Sequence, residues 1–148
     1  MAAEDLTIGA IDRILRKVSP GDGCWTWGGT ILGDGYGQAW LGRQYRHRQA
    51  YAHRIVYELL VGPIPEGLQL DHLCRVRSCV RPDHLEPVTC QVNILRGFNR
   101  AALNARKVQC IRGHVMDDDN VYVAPSGGRR CRTCRRAERR RRRRKEAA

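Results

Sequence analysis

Phenylalanine occurs once and methionine twice in the 148 residues, and no stretch approaches the ~18 uninterrupted apolar residues that a membrane-spanning helix requires. A spanning helix is therefore not expected. Leu, Ile, Val and Phe together make 32 residues, about 22% of the chain, just above the composition at which burial no longer offsets the entropy of folding. A small core is allowed, but it needs support from elsewhere. The opening residues Met-Ala-Ala-Glu-Asp-Leu-Thr have neither a basic flank nor an apolar run, so a secretory leader is not expected.

Seven cysteines are present against this thin apolar background. Without a leader they face a reducing compartment, and an odd number does not pair off into disulfides. Metal binding becomes their leading use, and the cytoplasm the expected location. Acidic charge is also scarce: 15 Asp and Glu against 27 Lys and Arg leave a net charge of +12. Residues 129–148 contribute +10 of it, with 12 cations against Glu138 and Glu146, so the preceding 128 residues are almost neutral. The cations Arg135, Arg136, Arg139, Arg140, Arg141, Arg142, Arg143, Arg144 and Lys145 form a tail, helical at best through residues 132–145. A like-charged run is ordinarily a solvated face. This one is nearly all Arg, whose planar fork pairs bidentately with phosphate, and a nucleic acid is its natural partner.

Apolar spacing predicts a helix over residues 5–18, a short twisted sheet from Cys24 to Tyr45, and a second helix over 49–61 that stops at Gly62-Pro63. Two strands follow, Leu68 to Leu73 and Leu85 to Thr89, with Thr89 as N-cap of a helix from Cys90 to about Arg100. The domain organisation expected is 1–107 with a strand-strand-helix core at about 68–100, a zinc-binding extension at 108–134, and the tail at 135–148. Trp25, Trp27 and Trp40 are expected to fill the core. His53 is expected to be a packed helix residue, His47 is uninformative, and Asp117 to Asp119 read as a solvated turn.

Two groups of residues have the spacing of metal ligands. Cys110-x3-His114 and Cys131-x2-Cys134, joined by Gly-rich turns, supply four soft ligands for tetrahedral Zn²⁺. Their segment has little core of its own, and zinc binding would provide the missing stability. Cys74-x4-Cys79-x4-His84 supplies three ligands and needs a fourth, either Cys24 or Cys90. Cys24 is preferred, because Cys90 lies where the chain turns into a helix.

Around the second set runs Leu70-Asp71-His72-Leu73-Cys74, then Pro82-Asp83-His84-Leu85, then Thr89-Cys90-Gln91-Val92-Asn93. An Asp-His pair ending a strand, a Cys/His loop, a second strand and an Asn in the next helix resemble the HNH nucleases of the His-Me finger, or ββα-metal, superfamily. The loop directly after His72 is similar to that of the His-Cys box homing endonucleases, which also carry two zinc sites. The resemblance implies an α+β, zinc-stabilised ββα-metal fold with two structural Zn²⁺. It implies a general base at His72, a catalytic Mg²⁺ or Mn²⁺ held by Asp71 and Asn93, and a phosphate-directed cation at Arg54. It supports Cys24 as fourth ligand beside Cys74, Cys79 and His84. The implied activity is metal-dependent hydrolysis of DNA phosphodiesters, in a host cell's cytoplasm if the gene is carried by a phage. RNA is a second polyanion of the same chemistry, and cutting both strands would call for a homodimer. The sequence departs from the family at Arg81, where the motif has its loop-bracing Asn, so the bracing must come from other contacts. A non-catalytic, zinc-stabilised nucleic-acid-binding protein is the alternative, and it gives no reason to group Asp71, His72 and Asn93.

Overall fold

The computed structural model describes residues 6–43 and 49–147; Tyr45 and His47 lie outside them. The chain divides into two compact units, residues 1–93 and 94–148.

In the first unit, Thr7 precedes helix α1 (Ile8–Leu15), which is shorter than the 5–18 span predicted. Val18 instead enters a two-residue strand, β1 (Val18–Ser19), paired with β2 (Thr26–Trp27). Strands β3 (Thr30–Ile31), β4 (Gly37–Trp40) and β5 (Gln49–Tyr51) form an antiparallel sheet in that order. The predicted second helix thus loses its first three residues to β5, whose register with β4 is Gln38 to Tyr51 and Trp40 to Gln49. Tyr51 stays extended, and α2 (Ala52–Leu60) begins after it.

The core is small. Leu6, Ala10 and Ile14 from the α1 region pack with Trp27, Ala39, Leu41, Ala52, Ile55, Val56 and Val80. Trp27 is the aromatic centre of this group, and Gly37 lets β4 cross it: a Cβ at Gly37 would lie 2.7 Å from the indole ring. Trp25 packs at the edge of the core, whereas Trp40 is 41% exposed and does not join it, because the burial alternation of β4 places Gly37 and Ala39 inward.

Strands β6 (Leu68–His72) and β7 (Leu85–Thr89) pair antiparallel, with Asp71 opposite Glu86 and His72 opposite Leu85. A 3₁₀ turn at Pro82–His84 leads into β7. The backbone N–H of Val92 donates to Thr89 Oγ1 at 3.3 Å at the start of α3 (Cys90–Arg96). This is a ββα arrangement within an α+β fold.

In the second unit the helix expected to run to residue 100 breaks at Gly97. Asn99 caps a separate helix, α4 (Arg100–Arg106), by accepting from the Ala102 N–H at 2.9 Å. Strands β8 (Val121–Val123) and β9 (Arg129–Cys131) form a hairpin, and α5 (Arg132–Glu146) carries the basic tail. Arg129 satisfies the orphan carbonyls at the end of α4, donating to Ala105 O at 2.6 Å, Lys107 O at 3.1 Å and, through its other nitrogen, Met116 O at 3.1 Å. No helix among the described residues is long and apolar enough to cross a membrane.

Candidate functional site

Strand β6 delivers Asp71 and His72 to its C-terminal end, where both are buried, 3% and 6% exposed. The loop that follows turns back over the strand. Its Cys79 carbonyl lies 3.1 Å from His72 Nε2, and since a carbonyl can only accept, Nε2 carries the proton and Nδ1 keeps its lone pair. The tautomer is set by backbone. Burial holds the His72 pKa below its ordinary value, so the ring is neutral near pH 7.

Two rings pack against His72. His53, from the first turn of α2, meets it edge to face at 4.7 Å, and Tyr36 lies 5.7 Å from His72 and 5.4 Å from His53. Tyr51 closes the far side of His53 at 5.6 Å. His53 is buried, its Nδ1 has no hydrogen-bond partner, and burial pushes its pKa down to about 3. It is a packed helix residue as expected, yet one packed against the candidate base, a juxtaposition to which no sequence spacing points. Burial raises the pKa of Glu58 on α2, and Arg54, half-buried beside His53, partly opposes that rise.

Asp71 Oδ1 accepts from Arg75 Nη1 at 2.6 Å. Asn93 reaches the same strand: its amide donates to Gln69 Oε1 at 3.1 Å, and Gln69 is two residues before Asp71, hence on the same face of β6.

Beside this site Cys24, Cys74, Cys79 and His84 bring their four ligand atoms within 4.8 Å of one another. Cys24 Sγ and Cys79 Sγ each lie 3.6 Å from His84 Nδ1, close to the ligand separation of about 3.5–3.8 Å that tetrahedral zinc imposes on sulfur and nitrogen. Burial, followed by the neighbouring Cys24 and Cys74 thiols, pushes the Cys79 pKa up to about 12. Three sulfurs and an imidazole nitrogen this close together suit a soft divalent cation, which would hold the sulfurs as thiolates. Cys90 is exposed at the start of α3, away from the cluster. The loop is tied down by Arg81, which donates from Nη1 to Asp22 O at 2.7 Å and Gly23 O at 2.8 Å and from Nε to Asp83 at 3.2 Å. Val80 N–H also donates to Trp25 O at 3.0 Å. Arg81 thus braces the loop at the motif's departing position, and the Cys79 carbonyl orients His72.

The second cluster, Cys110, His114, Cys131 and Cys134, has the same closeness. Cys110 Sγ lies 3.4 Å from His114 Nδ1 and 3.6 Å from Cys134 Sγ. Cys134 sits in the first turn of α5, so this cluster pins the start of the basic helix. Arg136, Arg140, Arg141, Arg144 and Lys145 share one face of α5. Arg135 does not join them and stacks on Tyr122 at 4.1 Å, while Arg142 pairs with Glu146 at 2.7 Å. The carboxylates of residues 117–119 form no metal cluster among the described residues; Asp117 accepts from the Asn120 N–H in a turn.

Residues 50–94 match the family model of the HNH endonucleases. The chain is 34% identical over 65 residues to the uncharacterized gene 5.3 protein of Enterobacteria phage T3, a match covering 43% of this chain and 64% of that one. It is 32% identical over 62 residues to protein 7.7 of Escherichia phage T7, covering 42% of this chain and 45% of that one. The chain thus spans less than two thirds of the length of either relative. No solved structure matches. Residues 50–94 are therefore similar to the HNH endonucleases, and the Cys/His clusters, which could hold zinc, fit a His-Cys box.

Proposed function

We propose that this chain is a metal-dependent DNA endonuclease in which His72 takes a proton from the attacking water. The observation that carries the reading is the His72 ring, buried at the end of β6, its Nε2 held by the Cys79 carbonyl and its Nδ1 lone pair left to accept. A general base must be unprotonated at the working pH while keeping a pKa near it. The burial-lowered pKa of His72 keeps the accepting form populated at neutral pH.

Asp71 and Asn93 are the residues proposed to hold a catalytic Mg²⁺ or Mn²⁺. Their oxygen donors, on one face of β6 and on the helix docked against it, suit a hard divalent cation. When bound, such an ion supplies charge stabilisation at the phosphate and at the departing oxygen. Arg54 is proposed to face the scissile phosphate.

The two Cys/His clusters are proposed to bind structural Zn²⁺. The first holds the loop whose Cys79 carbonyl orients His72, and the second holds the start of α5. The exposed face of that helix is proposed to bind the DNA backbone, positioning without reading sequence. Similarity to phage proteins supports action in the cytoplasm of a host cell.

The test is incubation of the purified protein with supercoiled plasmid and Mg²⁺. Nicked or linear product that EDTA abolishes is expected. Binding without any cleavage would overturn the enzymatic reading in favour of a binding module.

A further inference from the structure

The loop after His72 carries three arginines, and two are committed to its framework. Arg77 donates to Asp34 O at 2.6 Å and lies over the Tyr36 ring at 5.5 Å, and Arg81 holds Asp22 and Gly23. Arg75 differs. Its Nη1 lies 2.6 Å from Oδ1 of Asp71, the carboxylate assigned above to the divalent cation.

The backbone pays attention to this placement: Arg75 has φ +61°, the sole left-handed non-glycine among the described residues. That conformation is unfavourable for a side chain with a Cβ. A turn closed by the Arg75 N–H to His72 O at 3.0 Å holds it, leaving the guanidinium over a residue four positions earlier. Asp71 is only 3% exposed, and an ionised carboxylate there needs a counter-charge in every state of the protein. Arg75, with 39% of its side chain exposed, can leave into solvent as Asp71 cannot. Arg75 therefore departs only when another cation takes its place beside the buried carboxylate.

We propose that Arg75 is the counter-ion of Asp71 in the metal-free protein and that the catalytic cation must displace it to occupy the carboxylate. This rests on the reading of Asp71 as a metal ligand. A divalent cation takes the place of a monovalent one, so Asp71 stays compensated throughout. Arg75 sets how much free divalent cation the site needs before it fills.

The test uses the full-length, zinc-replete protein and Mn²⁺ alone as probe, with free Mn²⁺ followed by electron paramagnetic resonance and without DNA. Arg75→Gly suits the left-handed backbone, and Arg75→Gln keeps the stem while removing the charge. Both are expected to bind Mn²⁺ about tenfold more tightly than the parent, the factor a charge-assisted hydrogen bond commands. Asp71→Asn should weaken binding, and adding Arg75→Gly to it should restore nothing. If Asp71→Asn weakens binding while neither Arg75 variant tightens it, the displacement is wrong and the metal site stands. If Asp71→Asn leaves Mn²⁺ affinity unchanged, the metal site is wrong and the displacement falls with it. Zinc content measured on each variant identifies any loss of fold, and the two Arg75 replacements guard against a defect peculiar to one.

Discussion

Truncation of the chain after residue 136 distinguishes a helical polycation from a loose one by its salt dependence. Seven cations lie beyond that point, Arg139 to Arg144 and Lys145. A tail offering all seven to phosphates would lower the log-log salt slope by about 6 when removed, since each contact contributes about 0.9. A helix offers one face at a time. Of the seven, Arg140, Arg141, Arg144 and Lys145 share a face with Arg136, while Arg142 is paired with Glu146 elsewhere on the helix. The structure therefore predicts a fall of about 3.6, with affinity at ~0.1 M salt dropping by on the order of 10³. Fluorescence anisotropy of a labelled duplex, titrated at several salt concentrations with both proteins, gives the slopes. Cys134 precedes the cut, so zinc content should not change. An unchanged slope would make α5 a solvated appendage, and a fall near 6 would show that the bound tail does not present a single helical face.

Elemental analysis is expected to find two zinc ions per chain; Cys24→Ser should lose one and Cys90→Ser none, and the reverse pattern would reassign the fourth ligand. His53 makes stability depend on pH. Its pKa is about 3 when folded and ordinarily 6.5, so between these values the unfolded chain binds the extra proton and stability rises with pH. That contribution is fully present above 6.5 and is lost as pH falls toward 3, amounting to about 2 kcal/mol by pH 5. Denaturant unfolding at pH 7 and pH 5 should show this loss in the parent and not in His53→Gln, and equal losses in both would remove His53 as the cause.

Features fixed by local chemistry were legible in the sequence. The strands at 68–72 and 85–89, the Thr89 cap and the two Cys/His groups follow from spacing, turn residues and ligand type. Helix ends were not. Residues 49–51 have helical spacing, but pairing with β4 holds them extended, and Gly97 divides one apolar run between α3 and α4. Trp40 was expected inside because tryptophan is usually core, yet the alternation of β4 turns it outward. Contacts between distant segments that share no metal-ligand spacing left no mark. Nothing in the sequence links His53 to His72 across 19 positions, and Arg75 reads as one more cation until its left-handed backbone and its carboxylate partner are seen together.

Single-turnover cleavage of duplex DNA by the parent and by His72→Ala, at saturating protein and Mg²⁺, tests the central claim most directly. Removing a general base should slow cleavage by on the order of 10²–10⁴, while zinc content and DNA affinity stay nearly unchanged. Cleavage by His72→Ala at the parent's rate would contradict the assignment of His72 and the mechanism built on it.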